Sequence, residues 1–207
     1  MPEIVFLNLE KSDSLFVDCV ENEKSELRRI IRQMPITARP SVKYIDATDE
    51  IGIHNAIVSA TKILHIAGHG RYFGTIASSS SKKGSQLHRL EKFADYLESR
   101  NEYLDVDCVI LDSCYSAGLP WRIQLQRVLG PNRKMIIIGS SLGLPFTQAE
   151  EFFANFYSAL LAKKLPTRKV ALFERIYDSF NEAQSSYISE HGWWSKLRIT
   201  TLRNDKD

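Results

Sequence analysis

Short apolar runs alternate with amphipathic stretches along the chain. Five runs are apolar on both faces, which is typical of strands in a parallel sheet covered by helices on each side. These predicted strands are Glu3–Leu9, Val42–Ala47, Lys62–Ala67, Val106–Leu111 and Lys134–Gly139. Near the C-terminus, the alternating segment Leu197–Arg203 predicts an edge strand, and the preceding pair Trp193-Trp194 predicts a core anchor.

Helical periodicity fills the stretches between the five runs. The predicted helices lie near Glu23–Met34, Glu50–Ala60, Ser85–Arg100, Trp121–Leu129 and Thr147–Lys164. Capping signals mark two of their starts: Asp49 precedes the second helix, and Thr147 and Glu150 have the spacing of a capping box in the last. This series of strands and helices predicts an α/β sandwich.

One stretch breaks the regularity. Gly74–Gly84 contains four consecutive serines and two lysines, a composition typical of a mobile loop. A solvated connection is the plainer interpretation. The alternatives are a flap over an active site and a processing site at Lys82-Lys83.

Composition narrows the class of protein. With 207 residues and 43% hydrophobic content, the chain can bury one sizeable core, so residues 1–207 are expected to form a single domain. A formal net charge of +2 gives no global electrostatic case for binding nucleic acid or an anionic membrane. The sequence shows neither a signal peptide nor an 18-residue apolar run, and its three cysteines lack disulfide-scaffold spacing. A cytoplasmic protein is therefore expected.

Two predicted strands end at a residue suited to nucleophilic chemistry. His69 follows the third strand and Cys114 follows the fourth, so both are expected at the carboxyl edge of the sheet, where ligands bind in α/β proteins. A cysteine attacks a carbonyl as the thiolate, and an imidazole that titrates near neutrality suits the accompanying base. The backbone N–H groups of Gly70 and Cys114 would form the oxyanion hole.

These residues carry a family resemblance. A strand that ends in His69-Gly70 and a later strand that ends in the segment Asp112–Gly118 resemble those of the caspase-like cysteine peptidases, in particular the metacaspase and CHAT branches. The segments Ile136–Leu142 and Phe152–Leu160 resemble the strand and helix that close a CHAT domain, although the Gln-Ala-Cys signature of true caspases is absent. The resemblance implies a three-layer sandwich whose mostly parallel sheet has about six strands and is flanked by helices.

The resemblance also implies roles for residues near the predicted cleft. Asp112 would line the pocket for an Arg or Lys side chain, and Ser140 and Ser141 would lie beside the bound peptide. Each has a structural alternative: Asp112 as a helix or turn cap, and the two serines as a turn that caps the next helix.

Other interpretations of the same side chains stay open. Cys114 would be a core thiol if it were buried, but its polar, turn-prone neighbours favour the nucleophile. His65 with Cys108 and Cys114 would be a partial zinc site. Since His65 and Cys108 lie inside predicted strands, a hydrogen-bonded core histidine and a packing thiol are favoured, and no metal or other cofactor is expected.

The sequence therefore predicts a cysteine endopeptidase in which His69 takes the Cys114 proton. Its substrate would be a protein or peptide cleaved after Arg or Lys, and it would be latent until a partner protein or another signal activates it. The alternative is a catalytically silent caspase-like domain that serves as an interaction module. A small-molecule-binding α/β domain is less favoured, because the loops lack the glycine patterns that hold phosphates.

Overall fold

A computed structural model describes most of the chain. The described residues are 1–9, 14–46, 50–71, 75–77, 87–114, 116–140, 142–192 and 195–204. Several predicted features lie outside them: the Asp49 cap, Ser141, the segment 78–84 with its two lysines, and the tryptophan pair at 193–194.

The nine strands among the described residues form two sheets. They are β1 (Ile4–Asn8), β2 (Val42–Asp46), β3 (Ile63–Ala67), β4 (His69–Arg71), β5 (Thr75–Ala77), β6 (Leu87–Arg89), β7 (Cys108–Asp112), β8 (Lys134–Ser140) and β9 (Leu197–Arg203). The main sheet has six strands in the order β2-β1-β3-β7-β8-β9. Its strands are parallel except for β9, which runs antiparallel to β8 at the edge. The mostly parallel six-stranded sheet is confirmed.

The second sheet is small and antiparallel, with the order β4-β5-β6. The sequence pattern did not predict it, because each strand has three residues and is too short to show a period. Residues 75–77, which lie in the predicted loop, form its central strand.

The helices are α1 (Ser14–Gln33), α2 (Glu50–Ser59), α3 (Leu90–Ser99), α4 (Leu119–Val128), α5 (Phe146–Leu160) and α6 (Lys169–His191), with a short 3₁₀ turn at Ile36–Ala38. The capping box at Thr147 is wrong: Pro145 is the N-cap, with φ −63°, and no side chain caps the helix. The sequence also missed α6, whose buried residues recur at helical spacing and whose end is capped by Gly192 at φ 73°.

The core lies on both faces of the main sheet, because alternate strand residues point to opposite sides. On one face, strand residues such as Phe6 and Ile110 pack against α1, α5 and α6. On the other, residues such as Leu64 and Val109 pack against α2, α3 and α4. The result is a three-layer α/β/α arrangement that leaves the carboxyl ends of the parallel strands at one edge.

Among the residues that the structure describes, no helix combines the length and the apolar character needed to cross a bilayer.

Candidate active site

The ends of β3 and β7 bring the two predicted catalytic residues to one place. The strands are parallel neighbours, and Ala67 is paired with Asp112. The Gly68 N–H donates to the Asp112 carbonyl oxygen at 3.1 Å. His69 and Cys114 each follow the Ala67–Asp112 pair by two residues, so their backbones leave the sheet side by side.

The backbone of His69 enters the small sheet as soon as it leaves the main one. His69 is paired with Ala77, and Gly70 with Ile76, across the β4–β5 ladder. Strand pairing therefore holds the backbone on both sides of Gly68. β3 precedes it, and β4, which contains His69 and Gly70, follows it.

The Cys114 thiol lies at the surface of the core and is partly exposed. Its Sγ accepts a hydrogen bond from the Leu144 N–H at 3.2 Å and lies 3.8 Å from the Leu144 carbonyl oxygen. Cys108, by contrast, is fully buried, and burial raises the pKa of its thiol far above the usual range. Cys108 is thus the packing thiol that the sequence predicts, whereas Cys114 is only partly buried.

Ser116 holds the turn that carries Cys114. Its Oγ lies 2.9 Å and 2.8 Å from the carbonyl oxygens of Leu111 and Ser113, and it accepts the Ser140 N–H at 3.0 Å. A Cβ on Gly139 would lie 2.7 Å from this oxygen, so only glycine permits so close an approach of β8. Ser116 was not singled out from sequence, because a lone serine in a turn carries no distinctive signal.

Ser140, a predicted substrate-binding residue, is fully buried at the end of β8. Its Oγ lies 2.9 Å from the Leu142 carbonyl oxygen and 3.3 Å from that of Lys196. The Ser140 hydroxyl thus holds its own turn, and it does not cap the next helix, whose N-cap is Pro145. The substrate role of Ser140 stays a prediction.

Asp112 ends β7, two residues before Cys114, and its carboxyl lies close to that of Glu23 of α1. Both side chains are buried, with 5% of Asp112 and 6% of Glu23 exposed. Burial raises the pKa of Asp112 to about 7, whereas a hydrogen bond from Glu23 acts in the opposite direction. Burial, together with the nearby Asp112 carboxylate, raises the pKa of Glu23 well above its usual value. Burial and mutual repulsion therefore both favour retention of a proton by the pair.

The sequence missed Glu23, although a signal was present. Glu23 stands on the apolar stripe of α1, between the buried residues Val20 and Leu27 at helical spacing. A carboxylate in such a stripe indicates a buried partner, since unpaired charges are rarely buried.

His65 lies beside this pair on the same face of the sheet. Its Nδ1 is 2.9 Å from the Tyr157 hydroxyl, and its ring packs against Phe6 and Phe153, with centroid distances of 4.3 Å and 4.8 Å. Burial lowers the pKa of His65 to about 3, so the ring is neutral. It is the buried, hydrogen-bonded histidine that the sequence predicts. Its Nε2 lies 3.7 Å from Glu23 Oε2.

Solved structures of cysteine proteases resemble the whole chain. A secreted C11 cysteine protease from Bacteroides thetaiotaomicron, solved with an irreversible peptide inhibitor, has a TM-score of 0.61 and 12% identity over 97% of this chain. An inactive zymogen C11 protease from Parabacteroides distasonis has a TM-score of 0.60 and 12% identity over 98%. The Arg-specific cysteine proteinase gingipain R has a TM-score of 0.54 and 8% identity over 99%.

The chain has a caspase-like fold. At these identities the likeness establishes the fold, whereas the metacaspase and CHAT branches stay predictions. The chain spans 66%, 61% and 46% of the three neighbours' own lengths. Neither a protein-family model nor a curated protein sequence matches the chain. In this caspase-like fold, the His69 and Cys114 segments leave adjacent central strands.

Proposed function

We propose that the chain is a cysteine endopeptidase with His69 as the base and Cys114 as the nucleophile. The observation that carries this proposal is the register of β3 and β7, which pairs Ala67 with Asp112 and so aligns the two segments. The partial exposure of Cys114 supports it, because a nucleophile must reach its substrate. The fold that the chain shares with cysteine proteases favours this function, but a fold alone does not establish activity.

The proposed reaction follows from the chemistry of the two side chains. His69 takes the proton of Cys114, and the thiolate attacks the carbonyl carbon of the scissile peptide bond. The N–H groups of Gly70 and Cys114 donate to the oxyanion that forms. His69 then protonates the leaving amine. The resulting thioester is hydrolysed by a water molecule that His69 deprotonates.

The proposed substrates carry Arg or Lys immediately before the scissile bond. The buried carboxyls of Asp112 and Glu23 lie close together, and Asp112 is two residues from the proposed nucleophile. A guanidinium or ammonium group that enters there would displace the proton and pair with two carboxylates. Glu23 thus becomes the second acidic residue of the pocket.

The proposed enzyme is latent until a partner protein or a cleavage activates it. An uncontrolled endopeptidase would threaten the cell that makes it, and one neighbour in the fold is described as an inactive zymogen. Lys82 and Lys83, which lie outside the described residues, are the proposed cleavage position because an enzyme with basic specificity would recognise them.

A labelling experiment separates the peptidase from a silent interaction module. The purified chain, cut beforehand beside Lys82-Lys83 to relieve the proposed latency, is treated with acyloxymethyl ketones that carry a peptide ending in Lys, Leu or Asp. The modified residue is mapped by mass spectrometry. The proposal predicts labelling of Cys114, fastest with Lys, and little labelling of Cys19, a partly buried thiol whose pKa is raised by burial and by Glu150. His69→Ala should slow the reaction. Labelling of Cys114 by iodoacetamide but by none of the peptidyl reagents would favour the module.

A further inference from the structure

Glu23, His65 and Asp112 form a buried cluster whose ligand atoms all lie within 4.8 Å of one another. They come from three elements, α1, β3 and β7. The sheet register places two of them on one face, because His65 is paired with Ile110 and Asp112 lies two residues beyond it. None of the three side chains is more than 6% exposed.

Two polar atoms in this cluster lack a hydrogen-bond partner within the described part of the chain. They are His65 Nε2 and Glu23 Oε2. Buried polar atoms are nearly always satisfied, so each unpaired atom requires an explanation. Since both atoms face each other at 3.7 Å, a single ligand between them would satisfy both.

Tyr157 prepares the histidine for such a ligand. Its hydroxyl lies 2.9 Å from His65 Nδ1 and can accept the proton there. That tautomer leaves the lone pair of Nε2 directed at Glu23. An outer hydrogen bond of this kind orients most metal-bound histidines.

We propose that Glu23, His65 and Asp112 bind a divalent cation of the zinc type. An imidazole nitrogen and carboxylate oxygens are a suitable donor set for Zn²⁺. Ligand atoms about 2 Å from zinc stand roughly 3.3 Å apart in a tetrahedron, so the 3.7 Å between Nε2 and Oε2 requires only a small adjustment. A water molecule would take the fourth position.

A second cluster shows that proximity alone is insufficient. Glu151, Glu190 and His191 also bring their ligand atoms together, but His191 Nε2 already lies 2.8 Å from both oxygens of Glu151. Glu190 is exposed. This cluster provides a matched control because it has the same composition of one histidine and two carboxyls.

The bound cation would also regulate the proposed enzyme, and this consequence rests on the proposed function. Asp112 and Glu23 are the carboxyls proposed to receive the basic substrate side chain. A metal ion there would exclude that side chain and hold the enzyme inactive until the ion is removed. Zinc binding itself does not depend on the proposed function, because it requires only the side chains of Glu23, His65 and Asp112.

Zinc binding is measured on the full chain carrying Cys114→Ala, which removes the nearby thiol as a ligand. After chelator treatment, the protein is titrated with Zn²⁺ against a chromogenic chelator. One ion per chain is expected, with affinity reduced at least about 10-fold by Glu23→Gln and by His65→Gln but unchanged by His191→Gln. Zinc should raise the Tm of the parent and the His191 variant only. If His65→Gln fails to fold, the nearly isosteric Glu23→Gln carries the test.

Absence of stoichiometric uptake would overturn the proposal, as would uptake undiminished in Glu23→Gln. A second measurement follows hydrolysis of Arg and Lys peptides by the wild-type chain, which zinc should inhibit and a chelator restore. Inhibition without binding to the Cys114→Ala protein would place zinc on the thiol and contradict the site. A chain that binds zinc at this cluster but hydrolyses no peptide after zinc removal and cleavage beside Lys82-Lys83 would refute the proposed function and leave the metal site standing.

Discussion

The buried carboxyl of Glu23 faces that of Asp112, two residues before Cys114, with ligand oxygens of the two groups within 4.8 Å of each other. Neither group could ionise there without cost, since each is buried and faces the other. We therefore expect the pair to keep one proton, two residues from the proposed nucleophile. The stability of the protein, its substrate specificity and its affinity for a metal ion should all depend on whether the carboxyl pair keeps this proton.

Stability should fall as pH rises through the titration of this pair. The folded-state pKa of Asp112 is raised from 3.8 to about 7, so the folded state binds more protons than the unfolded state between these values. For Asp112, this loss of stability is absent below pH 4 and complete above pH 7. The raised pKa of Glu23 adds a further loss, which Glu23→Gln removes. We compare the free energy of unfolding of Glu23→Gln with that of wild type at each pH. This difference should move in favour of the variant by roughly 1–3 kcal/mol between pH 4 and pH 8. Urea denaturation in a chelating buffer measures this, and parallel pH profiles for the two proteins would contradict it.

Basic specificity should depend on both carboxyls. Asp112→Asn is expected to cost Arg and Lys substrates roughly 2–3 kcal/mol in kcat/KM, the scale of a charge-assisted pair in a shielded pocket. Glu23→Gln should act in the same direction. Substrates with Leu at that position provide the control and should change little. A wild-type preference for Asp, or an unaltered profile in Asp112→Asn, would refute the assignment.

Ser116→Ala should damage the turn that positions Cys114. It removes the acceptor of the buried Ser140 N–H, and leaving such a group unpaired costs about 1–3 kcal/mol. We expect a lower Tm and a lower kcat. Ser185→Ala is the matched control, because that exposed hydroxyl also bonds a carbonyl oxygen, of Asn181, far from the cysteine turn. If both substitutions lowered Tm and kcat equally, Ser116 would have no special role in positioning Cys114.

Latency should be visible as slow hydrolysis by the intact chain until it is triggered. If cleavage beside Lys82-Lys83 is the trigger, changing both to Ala should keep the chain slow. The measurement follows peptide hydrolysis and chain cleavage together. Full activity with an uncut segment in both proteins would leave no regulatory role for it.

The central strands could be predicted from the sequence because four of the five residues in each are apolar. β3 and β7 have five consecutive buried residues each, and this pattern placed the ends of both strands correctly within a residue or two. The partnership of Glu23 with Asp112 could not be predicted, since periodicity does not reveal which helix covers which strand. The antiparallel sheet around His69 was missed because pairing, not propensity, determines three-residue strands.

The helices were less well predicted than the strands. α1 begins at Ser14 rather than Glu23, and α6 was overlooked although Leu172, Ile176 and Phe180 recur every four residues. Polar residues that α6 buries, such as Gln184, obscure its apolar stripe. Gln184 accepts the Ser195 N–H, a tertiary contact that no local pattern predicts.

The most direct measurement is peptide hydrolysis by the activated chain and its dyad variants. Cys114→Ala and His69→Ala should each abolish turnover of Arg and Lys peptides, and the double variant should lose almost nothing more, because the two residues act as one unit. Cys108→Ala should keep its activity at a stability cost of about 1 kcal/mol for a small core cavity. Turnover that survives in Cys114→Ala would contradict the assignment of this chain as a cysteine endopeptidase.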